Sequence, residues 1–205
     1  FELEITGGSI ETNTTATLTF SNEAGNISGT ATLTIEEYTA THDLVTSKTS
    51  IQNGSKVVLG NVSETSRFTA KASTGANNLP TVPTAFDNTN KTIAYNQDAQ
   101  EFTVWCVDQE NGYYVFSDGG YFLTAEGAKV VDGSNKNYLK RTDELSEECY
   151  FELIETDDGT GVTVKSVFAP EFSLGYNVTN EIVSLYVSTI NTIQKVSLYN
   201  SKGIT

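Results

Sequence analysis

The 205-residue sequence predicts an all-β fold built from repeated supersecondary units. Apolar and polar residues alternate over runs of about four to eight residues, which is the period of a half-buried strand. Gly, Asn, Asp, Ser and Thr fill the intervening segments, as is typical of turns. The one helical turn that we expect lies at residues 143–149.

Three of the alternating strands carry apolar pairs at the same phase. They are Phe102-Thr103-Val104-Trp105, Phe151-Glu152-Leu153-Ile154 and Val196-Ser197-Leu198-Tyr199. Their first residues, numbers 102, 151 and 196, stand 49 and 45 residues apart. A nearly fixed period of this length indicates a fold made of repeats rather than one assembled around a catalytic site.

Residues 1–40 are predicted to form a separate small unit. An alternating stretch opens the chain at residues 1–6, which we interpret as a sign of processing or of a longer polypeptide. Further strands are expected at residues 15–20 and 30–35, each with three apolar side chains on one face, which predicts a hairpin. Three strands are too few for an immunoglobulin-like sandwich, which takes about seven.

Residues 28–35, Ser-Gly-Thr-Ala-Thr-Leu-Thr-Ile, resemble the last strand of the Ig-like domains that are strung along bacterial surface proteins. The resemblance implies either the tail of a truncated domain or a half-domain completed by strands of a neighbouring molecule. An unpaired Thr-rich edge favours such strand addition.

A polar linker is expected at residues 38–43, and the second domain at residues 41–205 divides into three parts of four strands. The first part has a long insertion at residues 72–96, and each part ends in one of the recurrent strands. The strands lie at 56–60, 67–71, 81–86 and 101–106, then at 113–117, 121–124, 138–141 and 150–155, then at 162–167, 172–176, 182–187 and 195–199.

Twelve strands in a threefold arrangement resemble a β-trefoil, in which six strands form a barrel and six form a hairpin cap. Residues 120–125 and 171–176 look like the second strand of a trefoil repeat, where a turn precedes an aromatic-Leu step. The alternative is a closed or Greek-key barrel without true threefold symmetry.

The same domain resembles C-terminal modules of large secreted and surface bacterial proteins. The resemblance covers residues 44–200 and rests on a Lys-Val-Val-Leu strand at 56–59, Leu174-Gly175-Tyr176-Asn177 and Leu198-Tyr199-Asn200. Ser55 stands where that family usually has Asp. These motifs are turn and core residues, so the resemblance implies a fold and a secreted setting and brings no catalytic residue.

The composition disfavours several classes of partner. The net charge is −14, from 26 acidic and 12 basic residues, and such a polyanion is repelled by nucleic acids and anionic lipid surfaces. No run approaches the roughly 18 apolar residues of a membrane span, so membrane insertion is not expected. The abundance of Thr and Asn and the absence of Met resemble secreted proteins, so we expect an extracellular or cell-surface location.

Two sets of residues are candidates for covalent modification. Asn-x-Ser/Thr sequons would accept glycans in a secretory pathway that glycosylates them. They lie at Asn13, Asn26, Asn53, Asn61, Asn90 and Asn177. Cys106 and Cys149 are in phase with core residues of their strands, which predicts free thiols that act as small hydrophobes. A disulfide between them is the alternative, and it requires Cα atoms within about 7 Å.

Residues for catalysis and metal binding are scarce, so we expect no enzymatic activity. His42, the single histidine, falls in the linker with no obvious nucleophile, and a zinc site lacks ligands. No pair among the 26 acids is marked for glycoside hydrolysis. Calcium is the one cofactor worth considering, although such residues in turns more often form Asx-turns. The candidate ligands are Asp132, Ser134 and Asn135, or Asp157, Asp158 and Gly159.

Sugar binding is the function most often found on trefoils, and the resemblance implies a loop acid beside an aromatic stacking platform. The ricin-type Gln-x-Trp signature is absent from all three fourth strands. Trp105 is out of phase with Phe102 and Val104, so it lies on the opposite face, either as a platform or as an aromatic that fills the cap.

We therefore expect a structural or adhesive module of a bacterial surface protein or filament. Its partners would be neighbouring copies or other domains of a longer surface protein, joined by strand complementation. The alternative is a carbohydrate-binding module of a larger secreted enzyme, with glycans as partners.

Overall fold

The computed structural model describes residues 14–21, 28–35, 41–61, 68–71, 77–157, 159, 161–187 and 192–201. Within these residues the structure has twenty strands and two 3-10 turns, Lys48–Ser50 and Glu147–Cys149, so the all-β prediction is confirmed. The second turn falls inside the predicted helical turn. The chain forms two compact units, Phe1–Thr39 and Ala40–Thr205.

The described part of the first unit is an antiparallel hairpin of β1 (Thr14–Ser21) and β2 (Ser28–Ile35). The register places Ala16 opposite Leu33 and Leu18 opposite Ala31, so the apolar positions of the two strands share one face, as the alternation predicts. The strand expected at residues 1–6 lies outside the described residues, and the Ig-like resemblance of β2 stays a prediction.

Six strands of the second unit form a barrel. Antiparallel ladders join them in ring order, and β20 lies beside β16 to close the ring. In that order they are β4 (Ser55–Gly60), β9 (Glu101–Asp108), β10 (Tyr113–Ser117), β15 (Phe151–Glu155), β16 (Val162–Ser166) and β20 (Ser197–Ser201). These are the first and fourth strands of the three predicted parts.

Three hairpins form the second half of the twelve-strand pattern. They are β5 (Phe68–Ala70) with β6 (Leu79–Pro83), β11 (Phe122–Thr124) with β14 (Lys140–Thr142), and β17 (Ser173–Asn177) with β18 (Ile182–Tyr186). Each hairpin connects the two barrel strands of its own part. The second unit is therefore a β-trefoil, and the twelve predicted strands are confirmed with small shifts at their ends.

The barrel interior is the main hydrophobic core. Phe102, Phe151 and Leu198, one from each recurrent strand, are at most 1% exposed. Phe116 meets Phe151 edge to face, with ring centroids 5.8 Å apart. Burying a side chain of this size stabilises the fold by about 1.5–3 kcal/mol, so each recurrent strand contributes to the stability of the barrel.

Three strands outside the twelve extend the sheet from β20. They are β3 (Thr41–Leu44), which pairs with β20, then β8 (Thr92–Ala94) and β7 (Phe86–Asp87). The prediction of a polar linker at residues 38–43 is therefore wrong for residues 41–43. Three of the four residues of β3 are polar, which is too little signal to predict a strand that is ordered by the insertion folding against it.

These extra strands cover the outside of β4 and β20 with a second, smaller core. Val58, Ile93 and Tyr199 form it, and Leu44 and Phe86 pack against it. A Cβ on Gly60 would lie 2.7 Å from the Tyr199 ring, so the ring packs directly on the backbone of β4. The insertion thus buries an aromatic residue on the outer face of the barrel.

Two further elements escaped prediction. The hairpin of β12 (Lys129–Val131) and β13 (Ser134–Lys136) turns at Asp132 and Gly133, which both have positive φ, and its strand residues are all exposed. Strand β19 (Ile193–Lys195) pairs with β17. The described residues contain no helix of the length and apolarity that crossing a membrane requires.

Candidate functional site

Trp105 lies on the outer face of β9. Phe102 and Val104 point into the barrel and are at most 1% exposed, whereas Trp105 is 46% exposed. Its register partner on β10 is Val115. The far edge of the indole ring packs over Gly54, where an added Cβ would lie 3.8 Å from the ring. The ring is thus supported from one side and open to solvent on another.

The turn that supports the ring is fixed to the strand that carries it. Asn53 accepts a hydrogen bond from the Cys106 backbone N–H at 2.6 Å through Oδ1, and Gly54 N–H donates to the Val104 carbonyl at 2.9 Å. Gly54 has φ of +86°, which favours glycine. These bonds fix the Asn53-Gly54 turn beside the Trp105 ring.

The outer face of the barrel next to Trp105 carries polar side chains. Thr103 and Glu101 follow it at alternate positions of β9, and the register places Lys56 of β4 and Ser117 of β10 opposite Thr103. Lys56 Nζ lies 3.0 Å from Glu101 Oε1, and both side chains are more than a third exposed. We call the five residues Lys56, Glu101, Thr103, Trp105 and Ser117 the Trp105 face.

The loop acid of the second repeat is Asp118, in the turn between β10 and β11. Its Oδ1 accepts hydrogen bonds from the backbone N–H groups of Gly120 and Tyr121 at 3.3 and 3.0 Å. Its Oδ2 pairs with Nη2 of Arg141 on β14, and that guanidinium lies 4.7 Å from the centre of the Tyr121 ring. The Asp118 side chain is 4% exposed, so it stabilises the hairpin and does not face solvent.

An open cleft of about 640 Å³ lies between the 48–51 segment, the 109–112 turn and β15. Ile51, Tyr114 and Leu153 give it an apolar part, and Glu110, Glu152 and Glu155 outnumber Lys48 among its charged residues. Glu155 accepts hydrogen bonds from Ser47 Oγ and Lys48 N–H, which lower the pKa of its carboxyl. Sequence patterns do not predict this cleft, because its walls come from three distant segments.

His42 is a buried residue of β3 and not part of a linker. It is 5% exposed and stacks on the Tyr95 ring with 6.3 Å between centroids. Burial lowers its pKa below 6.5, although the charges of Glu101 and Asp43 act in the opposite direction. The residue therefore belongs to the surroundings of the second core.

Cys106 and Cys149 are both free. Cys149 is fully buried, as its phase predicts. The prediction of a core-facing thiol is wrong in degree for Cys106, which is only half-buried. It pairs with Tyr114 next to the point where the β9–β10 register shifts, so the strict alternation of β9 ends there.

The residues that the sequence suggested for glycosylation and for calcium binding lie at separate places in the structure. Asn53 and Asn90 are exposed, Asn177 is half-buried, and buried Asn61 donates a hydrogen bond to Gln194 at 2.5 Å. Asn13, Asn26 and Asp158 lie outside the described residues, while Asp132, Ser134 and Asn135 sit at an exposed hairpin end. The described part of the chain holds no group of three His, Cys, Asp or Glu side chains arranged for a metal ion.

No family model and no curated protein matches this chain. Solved structures do match. A mosquitocidal holotoxin aligns with a TM-score of 0.52 at 10% identity, over 74% of this chain and 18% of its own. A GlcNAcα1-4Gal-releasing endo-β-galactosidase from Clostridium perfringens aligns with a TM-score of 0.50 at 8% identity, over 72% and 33%.

A third match is a structure described as the BEL β-trefoil, with a TM-score of 0.47 at 14% identity, over 73% of this chain and 94% of its own. This chain thus spans a third or less of the holotoxin and of the endo-β-galactosidase. At such low identities, the first two matches show a shared fold and nothing about activity.

Proposed function

We propose that this chain is a non-enzymatic glycan-binding module and that Trp105 is its stacking platform. The observation that carries the proposal is the half-exposed Trp105 ring, held on the outer face of the barrel by the Asn53-Gly54 turn. An aromatic ring stacks on the apolar C–H face of a sugar, while hydroxyl and charged groups beside it bind the sugar hydroxyls.

The polar part of the Trp105 face suits this role. Thr103 and Ser117 offer hydroxyl groups, and the Lys56–Glu101 pair offers donors and acceptors on one side of the ring. An exposed ion pair of this kind contributes only about 0–1 kcal/mol to stability, so a ligand can separate its two partners at low cost. The fixed ring adds affinity because little conformational freedom is lost on binding.

The net charge of the protein limits the class of glycan that we expect it to bind. With a net charge of −14, the protein repels sulfated, sialylated or uronic-acid chains at long range, and neutral oligosaccharides are the expected ligands. The Trp105 face has a single carboxylate, Glu101, whereas glycoside hydrolysis uses two, which supports binding without cleavage. We place the module outside the cell, where neutral glycans are displayed.

The endo-β-galactosidase has a related fold within a longer chain, and at 8% identity this likeness shows the fold alone. It adds no residue to the site. The proposal rests on the Trp105 face alone.

The test is a glycan array followed by titration calorimetry on any ligand found. Trp105→Ala is expected to weaken binding at least tenfold. Phe168→Ala removes another exposed aromatic ring, 50% exposed in the β16–β17 loop, and is expected to leave affinity unchanged. Binding that survives Trp105→Ala, or an array without any ligand, would contradict the proposal.

A second candidate function, a structural or adhesive module assembled by strand complementation, is favoured by the β1–β2 hairpin. Among the described residues this sheet has two strands only, and an isolated two-stranded hairpin is marginally stable in water. Its partner would be a neighbouring copy or another domain. Unchanged assembly and solubility after deletion of residues 1–40 would exclude this role.

A further inference from the structure

Strand β3 fills a slot between two other strands. On one side Leu44, Asp43 and His42 pair with residues 199–201 of β20, and on the other side residues 41–43 pair with β8. β3 is not one of the twelve trefoil strands, and it begins two residues after the boundary between the compact units. The two ladders of β3 are therefore separate from those that join the barrel strands to one another.

One ring nitrogen of His42 is buried in this slot without a hydrogen-bond partner among the described residues. This nitrogen is Nδ1, and the ring is 5% exposed. On the same face, the hydroxyl of fully buried Tyr199 also lacks a partner in the described part of the chain. A buried polar atom without a partner weakens the docked state relative to the released one, where water satisfies it.

The groups that face His42 come from several elements. Glu101 of β9 and Asp43 of β3 itself raise its pKa, Tyr95 stacks on its ring, and burial, the largest effect, lowers the pKa. The released strand regains the ordinary value of 6.5, so it takes up a proton first as the pH falls. Each pH unit below that value favours release by up to tenfold, until the lower pKa of the docked state is passed.

We propose that β3 is an exchangeable strand and that its slot between β20 and β8 accepts β3 from a second copy of this chain. A second copy is the expected occupant because its Thr41–Leu44 segment reproduces both ladders and returns Leu44 to the second core. Exchange of an identical element is a low-cost route to association, since it creates no contact that the single copy lacks.

The test uses two single-cysteine variants, Asp43→Cys and Asn200→Cys, both made with Cys106→Ser and Cys149→Ala. Residues 43 and 200 stand opposite each other in the β3–β20 ladder, so their Cβ atoms lie within about 4.5–5.5 Å, close enough for a disulfide. The two variants are mixed and incubated together at pH 5.5 or pH 7.5, then oxidised at pH 7.5. A disulfide-linked heterodimer, identified on non-reducing gels and by intact mass, is expected, and more of it should form after the same incubation time at pH 5.5.

Three controls make the result decisive. The double variant Asp43→Cys/Asn200→Cys should form an internal disulfide and stop exchange. Mixing Asp43→Cys with Glu171→Cys, an exposed site elsewhere, gives the background of chance disulfides. His42→Leu removes the titrating ring and should abolish the acceleration at pH 5.5. Heterodimer no higher than background between folded variants overturns the exchange, and equal rates at both pH values overturn the role of His42.

Discussion

The outer face of the barrel is open at β9 and covered at β20, although both are fourth strands of a trefoil repeat. Trp105 of β9 and Tyr199 of β20 end equivalent recurrent stretches and both point outward, yet Trp105 is 46% exposed and Tyr199 is 0% exposed. The difference comes from β3, β7 and β8, which pack over β4 and β20 and leave β9 uncovered. The repeat pattern therefore determines on which face a side chain lies, and the strands outside the trefoil, β3, β7 and β8, determine whether that face is exposed to solvent.

The largest expected difference between the two regions is in stability. Tyr199→Ala should lower the free energy of unfolding by about 3–5 kcal/mol, because it leaves a cavity among Val58, Ile93 and Phe86. Trp105→Ala removes a half-exposed ring and should cost well under half as much. Urea denaturation followed by circular dichroism measures both. Equal losses would mean that the two faces do not differ as the structure shows.

A smaller loss of stability is expected from a methyl group added at Gly60, against the Tyr199 ring. Gly60→Ala would place a Cβ 2.7 Å from the Tyr199 ring, and overpacking of this kind costs about 1–3 kcal/mol. Gly120→Ala is the matched control, since no atom lies within 4 Å of its added Cβ. Thermal unfolding should show a clear fall in Tm for the first variant and little change for the second.

The stability of the covered region, where β3, β7 and β8 pack over β4 and β20, should also depend on pH. Because burial lowers the pKa of His42 below 6.5, its neutral form stabilises the folded state above that pH, and the contribution is lost as the pH falls. The loss is at most about 1.4 kcal/mol per pH unit. Hydrogen exchange between pH 7.5 and 5.5 should show β3 and β8 opening more than β9 and β10. His42→Leu should remove that difference, and its persistence would assign it to another group.

The smallest effect concerns the Tyr199 hydroxyl, which is buried without a partner among the described residues. Tyr199→Phe should leave stability unchanged or raise it by up to about 1 kcal/mol, because no hydrogen bond is lost and one desolvated hydroxyl is removed. A loss above about 1 kcal/mol in urea denaturation would show that the hydroxyl is bonded in solution.

Sequence alternation was enough to predict the twelve trefoil strands, because strands with one side in the core, in the barrel and in the hairpins, alternate with a period of two. It also placed Trp105 on the outer face. It missed β3 and the β7–β8 hairpin, whose strands are two to four residues long and whose burial depends on tertiary packing. The same limit applies to Asp118, whose partner Arg141 lies 23 residues away on another strand.

The residues that support the Trp105 ring could not be predicted from the sequence either. Asn53 and Gly54 look like an ordinary turn, and only the fold brings them to β9. Cys106 is partly exposed because the β9–β10 register shifts between Tyr113 and Tyr114. No local sequence pattern predicts that shift. Periodicity therefore predicts the barrel well, while the candidate site depends on contacts between distant segments.

Trp105 is the only tryptophan, so intrinsic fluorescence reports directly on the proposed platform. Titration with the neutral oligosaccharide that binds most strongly on a glycan array should shift the emission to shorter wavelength and protect it from acrylamide quenching. The midpoint should match that from calorimetry. A glycan that binds by calorimetry and leaves both the emission and the quenching unchanged would contradict the assignment of Trp105 as the binding surface.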